Sequence, residues 1–303
     1  MNRTWLLFPA FFLALTPPAH SRLFRETAVL AESPAPLIGV SRTVPVQGGE
    51  SLIDMAYREG IGFNNLAAAN PGIDPWQPAT GTEVVLPTSA ILPAGAEAGI
   101  TINLAEFRLY YIWEEGSRRL ARSYPIGIGS EGNDTPEGTF KIVRKVKQPT
   151  WTAPASIRRE RPELPAVVPP GPDNPLGDFW LELSAKGYGI HGTNKPLGVG
   201  RRVSHGCIRM YPEDIRDLFQ RVQPGTPVRI IFQPIKVGLR DNTLVLEAHA
   251  DFLEKSDNPL EEVVRQKRAL RWRGPIDFST VMTILRERRG LPLPLLPTPE
   301  QRP

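Results

Sequence analysis

Between Gly99 and Phe232 the chain is a series of short extended runs separated by turn residues, and this pattern limits its fold more than any other feature. The runs are rich in β-branched and aromatic residues, whereas Gly, Pro, Asn and Asp lie between them, as in an all-β sandwich or barrel. They fall at 100–103, 108–113, 119–125, 139–143, 179–183, 189–191 and 228–232. One helix is predicted over 212–222, where apolar residues recur at helical spacing. We therefore expect a mainly β domain over 99–234, a β-sandwich or barrel-like fold with one prominent helix.

A smaller unit over 42–88 precedes this domain. Ser51, followed by Asp54, resembles a capping box at the start of a helix, and Gly60 is a typical helix end. A second helix is predicted at 63–69. With short strands at 43–46 and 83–87, the predicted order is strand, helix, helix, strand. This order predicts a compact βααβ module.

The remaining segments have their own compositions. Arg3, an apolar run and then small residues are typical of a signal peptide over 1–21. The apolar run is too short to span a bilayer, so we expect no membrane span in the mature protein. Residues 91–96 are predicted to form a linker. The extension over 235–303 is predicted to contain helices at about 260–268 and 278–288 and to end in a proline-rich tail.

The charge balance excludes one class of partner. The chain has 36 Lys and Arg against 32 Asp and Glu, a formal net charge of +4. A nucleic-acid-binding protein usually shows a dense basic patch or stripe, so we expect no nucleic-acid partner. The modest positive charge suits attraction to a polyanionic matrix or to substrates that carry carboxylates.

Cys207 is the single cysteine of the chain and therefore cannot form an intramolecular disulfide. A thiol flanked by glycine, with His205 just before it and His191 upstream, is a candidate nucleophile. The attacking species is the thiolate, so such a site needs a base or a cation nearby. A buried, inert cysteine is the alternative, but the polar neighbours Ser204, His205 and Arg209 favour chemistry.

Cofactor and metal signals are weak. The run 127–132 matches G-x-G-x-x-G, but a dinucleotide site requires a helix directly after it, and here another strand is predicted. His191, His205 and Cys207 could ligate zinc, yet no carboxylate stands at ligand spacing, and Cys207 would lose its role as nucleophile. We therefore expect neither a cofactor nor a metal.

Two motifs carry a family resemblance. Tyr188-Gly189-Ile190-His191-Gly192-Thr193 and Ser204-His205-Gly206-Cys207-Ile208-Arg209 resemble the L,D-transpeptidase catalytic domain, also called the YkuD-like domain. Segments 136–140 and 174–177 support the resemblance. Segments 233–238 and 244–249 resemble the C-terminal part of the ErfK/YbiS subgroup, which lies in the Gram-negative periplasm. We therefore expect a periplasmic location for the mature protein.

The module over 42–88 resembles LysM, a family that binds N-acetylglucosamine-containing glycans such as peptidoglycan. The matching residues are 49–52, Ala56, 65–66, 69–71 and 81–87. The resemblance implies that the module binds the glycan strands of peptidoglycan. A small spacer is the alternative.

The resemblance implies a mechanism with named residues. Cys207 would attack the third residue of a peptidoglycan tetrapeptide stem and expel D-alanine, leaving a thioester. His191 would act as proton donor and acceptor, with the backbone carbonyl of Gly192 orienting its ring. His205 and Gly206 would form the turn whose backbone N–H groups make the oxyanion hole.

Four further residues are assigned to substrate binding. Arg209 could hold a substrate carboxylate with a two-pronged contact, with a structural ion pair as the alternative. Ser204 and Thr193 stand inside the two motifs. Trp151 is expected to line a substrate-covering flap formed by the proline-rich segment 148–175.

Three functions remain open from the sequence. The first is peptidoglycan L,D-transpeptidation, with the lysine of an outer-membrane lipoprotein favoured as acceptor and a 3-3 cross-link as a close second. The second is a hydrolase of the same architecture, an L,D-carboxypeptidase or amidase. The third is a non-catalytic wall-binding protein, which the intact His191 and Cys207 disfavour.

Overall fold

The computed structural model describes residues 27–30, 33, 35–240 and 243–295. The proposed signal peptide over 1–21 and the last part of the proline-rich tail lie outside the described residues. Within the described ranges, no helix has both the length and the apolar character needed to cross a membrane.

The predicted βααβ order is present at the N-terminal side of the protein. The elements of this region are β1 (Ala28–Val29), β2 (Leu37–Ile38), β3 (Arg42–Pro45), α1 (Leu52–Glu59), α2 (Phe63–Ala69), β4 (Glu83–Leu86) and β5 (Ala90–Ile91). Ser51 and Asp54 form the expected capping box of α1, and Gly60 ends that helix in the left-handed region, at φ 69°. Strands β3 and β4 pair antiparallel, so the module closes on itself around its own apolar core.

The central domain contains most of the strands. They are β6 (Gly99–Asn103), β7 (Arg108–Glu115), β8 (Arg118–Pro125), β9 (Ile128–Gly129), β10 (Gly138–Lys147), β11 (Trp151–Thr152), β12 (Val167–Val168), β13 (Phe179–Leu183), β14 (Gly189–His191), β15 (Arg202–Ser204), β16 (Ile208–Arg209) and β17 (Pro227–Ile231). Its α-helices are α3 (Ala155–Glu160) and α4 (Pro212–Arg221). The expectation of a mainly β fold with one prominent helix, α4, is confirmed.

Strand β10 explains how this domain encloses its core. The main sheet has the order β1-β8-β7-β6-β17-β10-β13-β14-β16. Residues 138–141 of β10 pair with β17, whereas 142–147 pair with β13, and the register shifts between Ile142 and Arg144. A bulge of this kind bends a strand. The two halves of the sheet therefore share one bent strand and pack on either side of a common core.

That core supports the strand that carries the first motif. Ile102 and Leu109 come from one half of the sheet, Leu181 and Ile190 from the other, and Ile215 from α4, and all are fully buried. Burying such side chains contributes roughly 1.5–3 kcal/mol each. The strand β14 is therefore held between packed layers, which gives its last residue a rigid support.

The C-terminal extension is a folded unit. Its elements are β18 (Ile235–Arg240), β19 (Thr243–Ala248), α5 (Pro259–Ala269), α6 (Phe278–Glu287) and β20 (Leu293–Pro294). The two helices predicted in this region are confirmed. The three strands form a separate sheet, in the order β18-β19-β20, and the helices pack on it around a core that includes Leu246, Val263 and Ile284.

The linker prediction for 91–96 is wrong. Ile91 and Leu92 are 0% and 2% exposed, and Ala96 is also buried. Ile91 pairs with Leu37 between β5 and β2, and its N–H donates to the carboxylate of Glu247 in the extension. The segment is therefore buried between the domains, and its residues contact both of them. We call this segment, 91–96, the internal seam.

Candidate active site

Two neighbouring strands bring the two motifs together. Strand β14, which ends at His191, pairs in parallel with β16, which follows Cys207 directly. The register places Ile190 opposite Ile208 and His191 opposite Arg209. Both motifs therefore meet on adjacent strands of one sheet, and a parallel pair formed across a long connection assembles the candidate site.

His191 is buried and held by two contacts. It is 4% exposed, its Nδ1 lies 2.6 Å from the carbonyl oxygen of Gly192, and the ring of Trp180 stacks on it with centroids 5.7 Å apart. A carbonyl only accepts, so Nδ1 carries the proton and Nε2 is left as an acceptor. Burial and the charge of Arg209 lower the pKa of His191 to about 3, against the raising effect of the Gly192 hydrogen bond. The imidazole is therefore neutral at physiological pH.

Cys207 sits in the turn between β15 and β16, and its side chain is half-buried. Its Sγ donates to the carbonyl oxygen of Gly187 at 3.7 Å. Burial raises the pKa of the thiol, while a backbone hydrogen bond with Gly189 and the charge of Arg209 act in the opposite direction. At rest, Cys207 is therefore a neutral thiol and His191 a neutral imidazole. A neutral thiol needs a general base at the moment of attack, and a neutral imidazole can act as that base.

Ser204 shapes the turn before the nucleophile. Its hydroxyl donates to the carbonyl oxygen of Cys207 at 2.5 Å and accepts from the N–H of Gly206 at 3.1 Å. The residue is 2% exposed. The structure thus gives this hydroxyl a role inside the turn, and the expected contact with substrate stays a prediction.

Not every N–H group of the turn is available to the predicted oxyanion hole. The N–H of Gly206 already donates to Ser204, whereas the N–H of Cys207 has no acceptor among the described residues. Gly206 adopts φ +100°, and a Cβ there would lie 2.6 Å from the ring of Tyr188. Glycine is thus required at this position for its conformation and for space, and the Cys207 N–H is a donor left for a substrate oxygen.

The proline-rich segment forms a cover beside the turn. Within it, β11 and β12 pair antiparallel, with Trp151 opposite Val168, and the short helix α3 lies between them. A carboxylate oxygen of Glu160, the last residue of α3, lies 3.0 Å from Nε2 of His205. His205 therefore joins the cover to the nucleophile turn.

A cavity of about 520 Å³ lies under this cover. Its wall includes the apolar side chains of Trp151, Ile157 and Leu164. The Nε of Arg209 is buried and has no hydrogen-bond partner among the described residues. Arg209 also lines the cavity, and the positive charge of its guanidinium suits an anionic group there. The lining residues with ionisable side chains are Arg161, Asp173, Lys195, His205 and Arg209.

Thr193 is buried, at 5% exposure. Its hydroxyl accepts from the N–H of Lys195 at 2.9 Å. Like Ser204, it shapes the backbone of its own motif, and its expected contact with substrate likewise stays a prediction.

Sequence reasoning missed two residues that contact this site. Trp180 covers the ring of His191, and Thr135 donates to the carbonyl oxygen of Gly206 at 2.8 Å. The structure explains the glycine at 189, because a Cβ there would lie 2.4 Å from the Trp180 ring. No local pattern pointed to Thr135.

The glycine-rich run and one acidic cluster have other roles. The run 127–132 leads from β9 into β10 through residues that the structure describes, without the helix that a dinucleotide fingerprint needs. Glu106, Glu247 and His249 converge closely enough to hold a metal ion. A cation of the chain itself lies among them, since Nζ of Lys236 is 2.6 Å from Glu106 and 3.0 Å from Glu247.

The sequence of this chain is similar to those of a known family. Residues 97–230 match the model of the YkuD family, the L,D-transpeptidase catalytic domain. The chain is 41% identical over 266 residues to the probable L,D-transpeptidase YcfS of Escherichia coli K12, covering 84% of this chain and 81% of that protein.

Two further relatives extend the similarity. The probable L,D-transpeptidase ErfK/SrfK of Salmonella typhimurium LT2 is 37% identical, covering 95% of this chain and 93% of its own length. The probable L,D-transpeptidase YbiS of Escherichia coli K12 is 41% identical, covering 75% and 77%. This chain belongs to the L,D-transpeptidase family.

Proposed function

We propose that the protein is a periplasmic peptidoglycan L,D-transpeptidase that works through a thioester on Cys207. The observation that carries this proposal is the parallel pairing of β14 and β16, which sets the His191 strand beside the Cys207 turn, next to a covered cavity. The donor is a tetrapeptide stem of peptidoglycan. The periplasmic location rests on the signal-like segment over 1–21 and on the subgroup resemblance.

The first half of the reaction forms the thioester. Sγ of Cys207 bonds to the carbonyl carbon of the third stem residue while the thiol proton passes to Nε2 of His191. The carbonyl oxygen becomes an oxyanion, which the N–H of Cys207 stabilises. The oxyanion then collapses, the bond to the D-alanine nitrogen breaks, and His191 returns the proton to that leaving amine. Gly192 holds the imidazole in the tautomer that this shuttle needs.

The second half transfers the acyl group. An acceptor amine attacks the thioester carbon and loses a proton to His191. The carbon–sulfur bond then breaks, and the thiolate of Cys207 takes the proton back. The products are a new amide and the original thiol.

The cavity under the cover is the proposed donor site. A stem peptide carries carboxylates, and Lys195 and Arg209 supply positive charge on the cavity wall. The apolar ring of Trp151 would cover the peptide backbone. The Glu160–His205 contact lies at one side of this cavity and links the cover to the nucleophile turn.

The nucleophile is tested by intact-mass analysis after exposure to a carbapenem, whose strained amide acylates a catalytic thiol. Wild type should gain one adduct, and Cys207→Ala should gain none while keeping its fold. His191→Ala should acylate far more slowly, because the thiol has a raised pKa and depends on a base. An adduct on the Cys207→Ala variant would disprove the assignment.

The reaction type is tested with purified muropeptides that carry tetrapeptide stems. Dimer formation indicates transfer, whereas release of tripeptide alone indicates that the protein is a hydrolase. This outcome separates the proposal from an L,D-carboxypeptidase or amidase with the same site.

The favoured acceptor is the C-terminal lysine of an outer-membrane lipoprotein. The support is the subgroup resemblance in segments 233–238 and 244–249, together with relatives whose similarity extends through most of the chain. Deleting the gene and digesting the wall with muramidase should release less wall-linked lipoprotein and leave 3-3 dimers unchanged. Loss of dimers with lipoprotein still attached would identify cross-linking as the reaction.

The module over 42–88 is proposed to bind the glycan strands as a LysM domain. Trp76 is 59% exposed, and its ring packs against Phe63 with centroids 5.7 Å apart, so it offers a flat apolar surface to a sugar ring. Full-length Cys207→Ala should sediment with insoluble peptidoglycan and remain bound at moderate salt. Release by a small rise in ionic strength would favour a charged spacer instead.

A further inference from the structure

Thr135 lies in the loop before β10 and touches the nucleophile turn from outside either motif. It is 6% exposed. Its hydroxyl accepts from the N–H of Gly129 at 3.0 Å and donates to the carbonyl oxygen of Gly206 at 2.8 Å. The single hydroxyl proton is thus directed at Gly206. The contact joins two residues 71 positions apart in the chain.

The carbonyl of Gly206 belongs to the same peptide unit as the N–H of Cys207. A peptide unit is planar and almost always trans, so its C=O and N–H point in opposite directions. A hydroxyl that holds the Gly206 oxygen therefore also fixes the direction of the Cys207 N–H. That N–H has no acceptor among the residues that the structure describes.

Three successive peptide units of the turn are each held by a side-chain hydroxyl. Ser204 accepts from the N–H of Gly206 and donates to the oxygen of Cys207, so it holds the first and the third unit. Thr135 holds the middle unit. Gly206 has φ +100° and no side chain of its own to resist rotation of this plane.

We propose that Thr135 is a positioning residue for the oxyanion hole, because its hydroxyl aims the Cys207 N–H at the carbonyl oxygen of the substrate. The inference rests on the proposed function, since it needs an acyl transfer at Cys207. The hydrogen bond donated to the Gly206 oxygen also polarises the peptide unit and strengthens the N–H as a donor. Thr135 therefore affects the step in which negative charge develops on the substrate oxygen.

The rates of two reactions of the Cys207 thiol can distinguish a role in the oxyanion hole from general support of the turn. Acylation by a carbapenem passes through an oxyanion, whereas alkylation by iodoacetamide displaces iodide at a saturated carbon and forms none. Removing an oxyanion-hole donor costs about 10²–10³-fold in rate, and misdirecting one should cost less. We expect Thr135→Val to slow acylation by about 10- to 100-fold and to change alkylation by less than about 2-fold.

Conservative variants sharpen the test. Thr135→Ser keeps the hydroxyl and should acylate within a few-fold of wild type. Thr139→Val makes the same change at an exposed threonine of β10 and should match wild type in both reactions. Should Thr135→Val fail to fold, Thr135→Ala removes the hydroxyl without placing a second methyl group against the Gly206 oxygen.

The outcomes distinguish a failure of the role proposed for Thr135 from a failure of Cys207 as the nucleophile. Equal loss of acylation and alkylation in the valine or alanine variant would show that Thr135 supports the turn as a whole, and would overturn the proposal. Unchanged acylation in these variants would also overturn it. Failure of wild type to acylate would instead refute Cys207 as the nucleophile of the proposed function.

Discussion

The central domain is attached to its two neighbours in different ways. Part of the contact with the N-terminal module is a close approach of backbone groups and glycines, whereas the contact with the C-terminal extension contains a buried group of charges. The module contact is made by the loop that leads to Cys207, and the charged contact is made just after β6. Close backbone approach is thus a feature of one interface, and a buried ion network is a feature of the other.

One part of the module contact leaves no room for a side chain at Gly200. The N–H groups of Phe63 and Asn64 donate to the carbonyl oxygens of Val199 and Gly200. A Cβ on Gly200 would lie 2.3 Å from the nitrogen of Phe63. Because the loop after Gly200 continues into β15 and the nucleophile turn, the module is seated on the segment that carries Cys207.

The C-terminal contact is a buried network around one lysine. Nζ of Lys236 lies 2.6 Å from Glu106 and 3.0 Å from Glu247, and it donates to the carbonyl oxygen of Ile91 at 2.7 Å. Lys236 is 1% exposed and both carboxylates are fully buried. The network therefore joins the central domain, the extension and the seam over 91–96. Removing one member of such a network leaves an uncompensated buried charge, which is strongly destabilising.

The largest expected effect is on the charged interface. Lys236→Met keeps much of the side-chain volume but leaves Glu106 and Glu247 facing each other without this cation. Breaking a buried pair in this way costs about 3–5 kcal/mol, and we expect a loss of that size in the free energy of unfolding by urea. Lys147→Met, at an exposed position of β10, is the control and should change it little. A loss of less than about 1 kcal/mol for Lys236→Met would mean that the network is not what holds the extension.

Acid should weaken the same interface. Burial raises the pKa of Glu247, but the charge of Lys236 and the hydrogen bond with His249 outweigh it and lower the pKa from 4.5 to about 2. The unfolded chain therefore binds this proton more readily, so the stabilisation is complete above pH 4.5 and is lost as the pH falls through about 2.

The measurement is urea unfolding at several pH values between about 5 and 2, the window in which Glu247 titrates. Glu247→Gln should flatten the pH dependence by up to about 3 kcal/mol, whereas Glu131→Gln, at an exposed position, should leave it unchanged. The same pH dependence in wild type and Glu247→Gln would contradict the pairing.

The smaller effect is expected at the module interface. Gly200→Ala places a Cβ against the backbone of Phe63 at a residue with φ +81°. Gly225→Ala is a matched control, since that glycine has φ +97° and open space around its Cβ position. Both variants bear the left-handed strain of about 1–2 kcal/mol, and only Gly200→Ala should add about 1–3 kcal/mol from overpacking.

Hydrogen exchange locates this second effect. The amides of Phe63 and Asn64, which donate across the interface, should exchange faster in Gly200→Ala than in Gly225→Ala. Equal exchange in the two variants would show that the module seat tolerates a methyl group, and the contrast between the interfaces would lose its basis.

Much of the local structure was predictable because it rests on short-range patterns. The capping box at Ser51 and Asp54, the helix over 212–222 and the alternation of strands and turns each depend on residues close together in the chain. The motifs around His191 and Cys207 are equally short, so the candidate site residues could be named before any fold was known.

The tertiary structure decided which distant residues these helices, strands and motifs contact. The sequence by itself determined a mainly β domain, a βααβ module, two late helices and the pair of motifs, because hydrophobic period and turn chemistry are local. Only the fold placed Thr135 on Gly206 and Lys236 on Glu106, partners 71 and 130 positions apart. Only the fold shows that 91–96 is a buried seam and not an exposed linker, because an apolar segment becomes part of a core when two domains pack on it. Such contacts leave no periodic signature in the chain, because they depend on how the bent sheet brings distant backbone together.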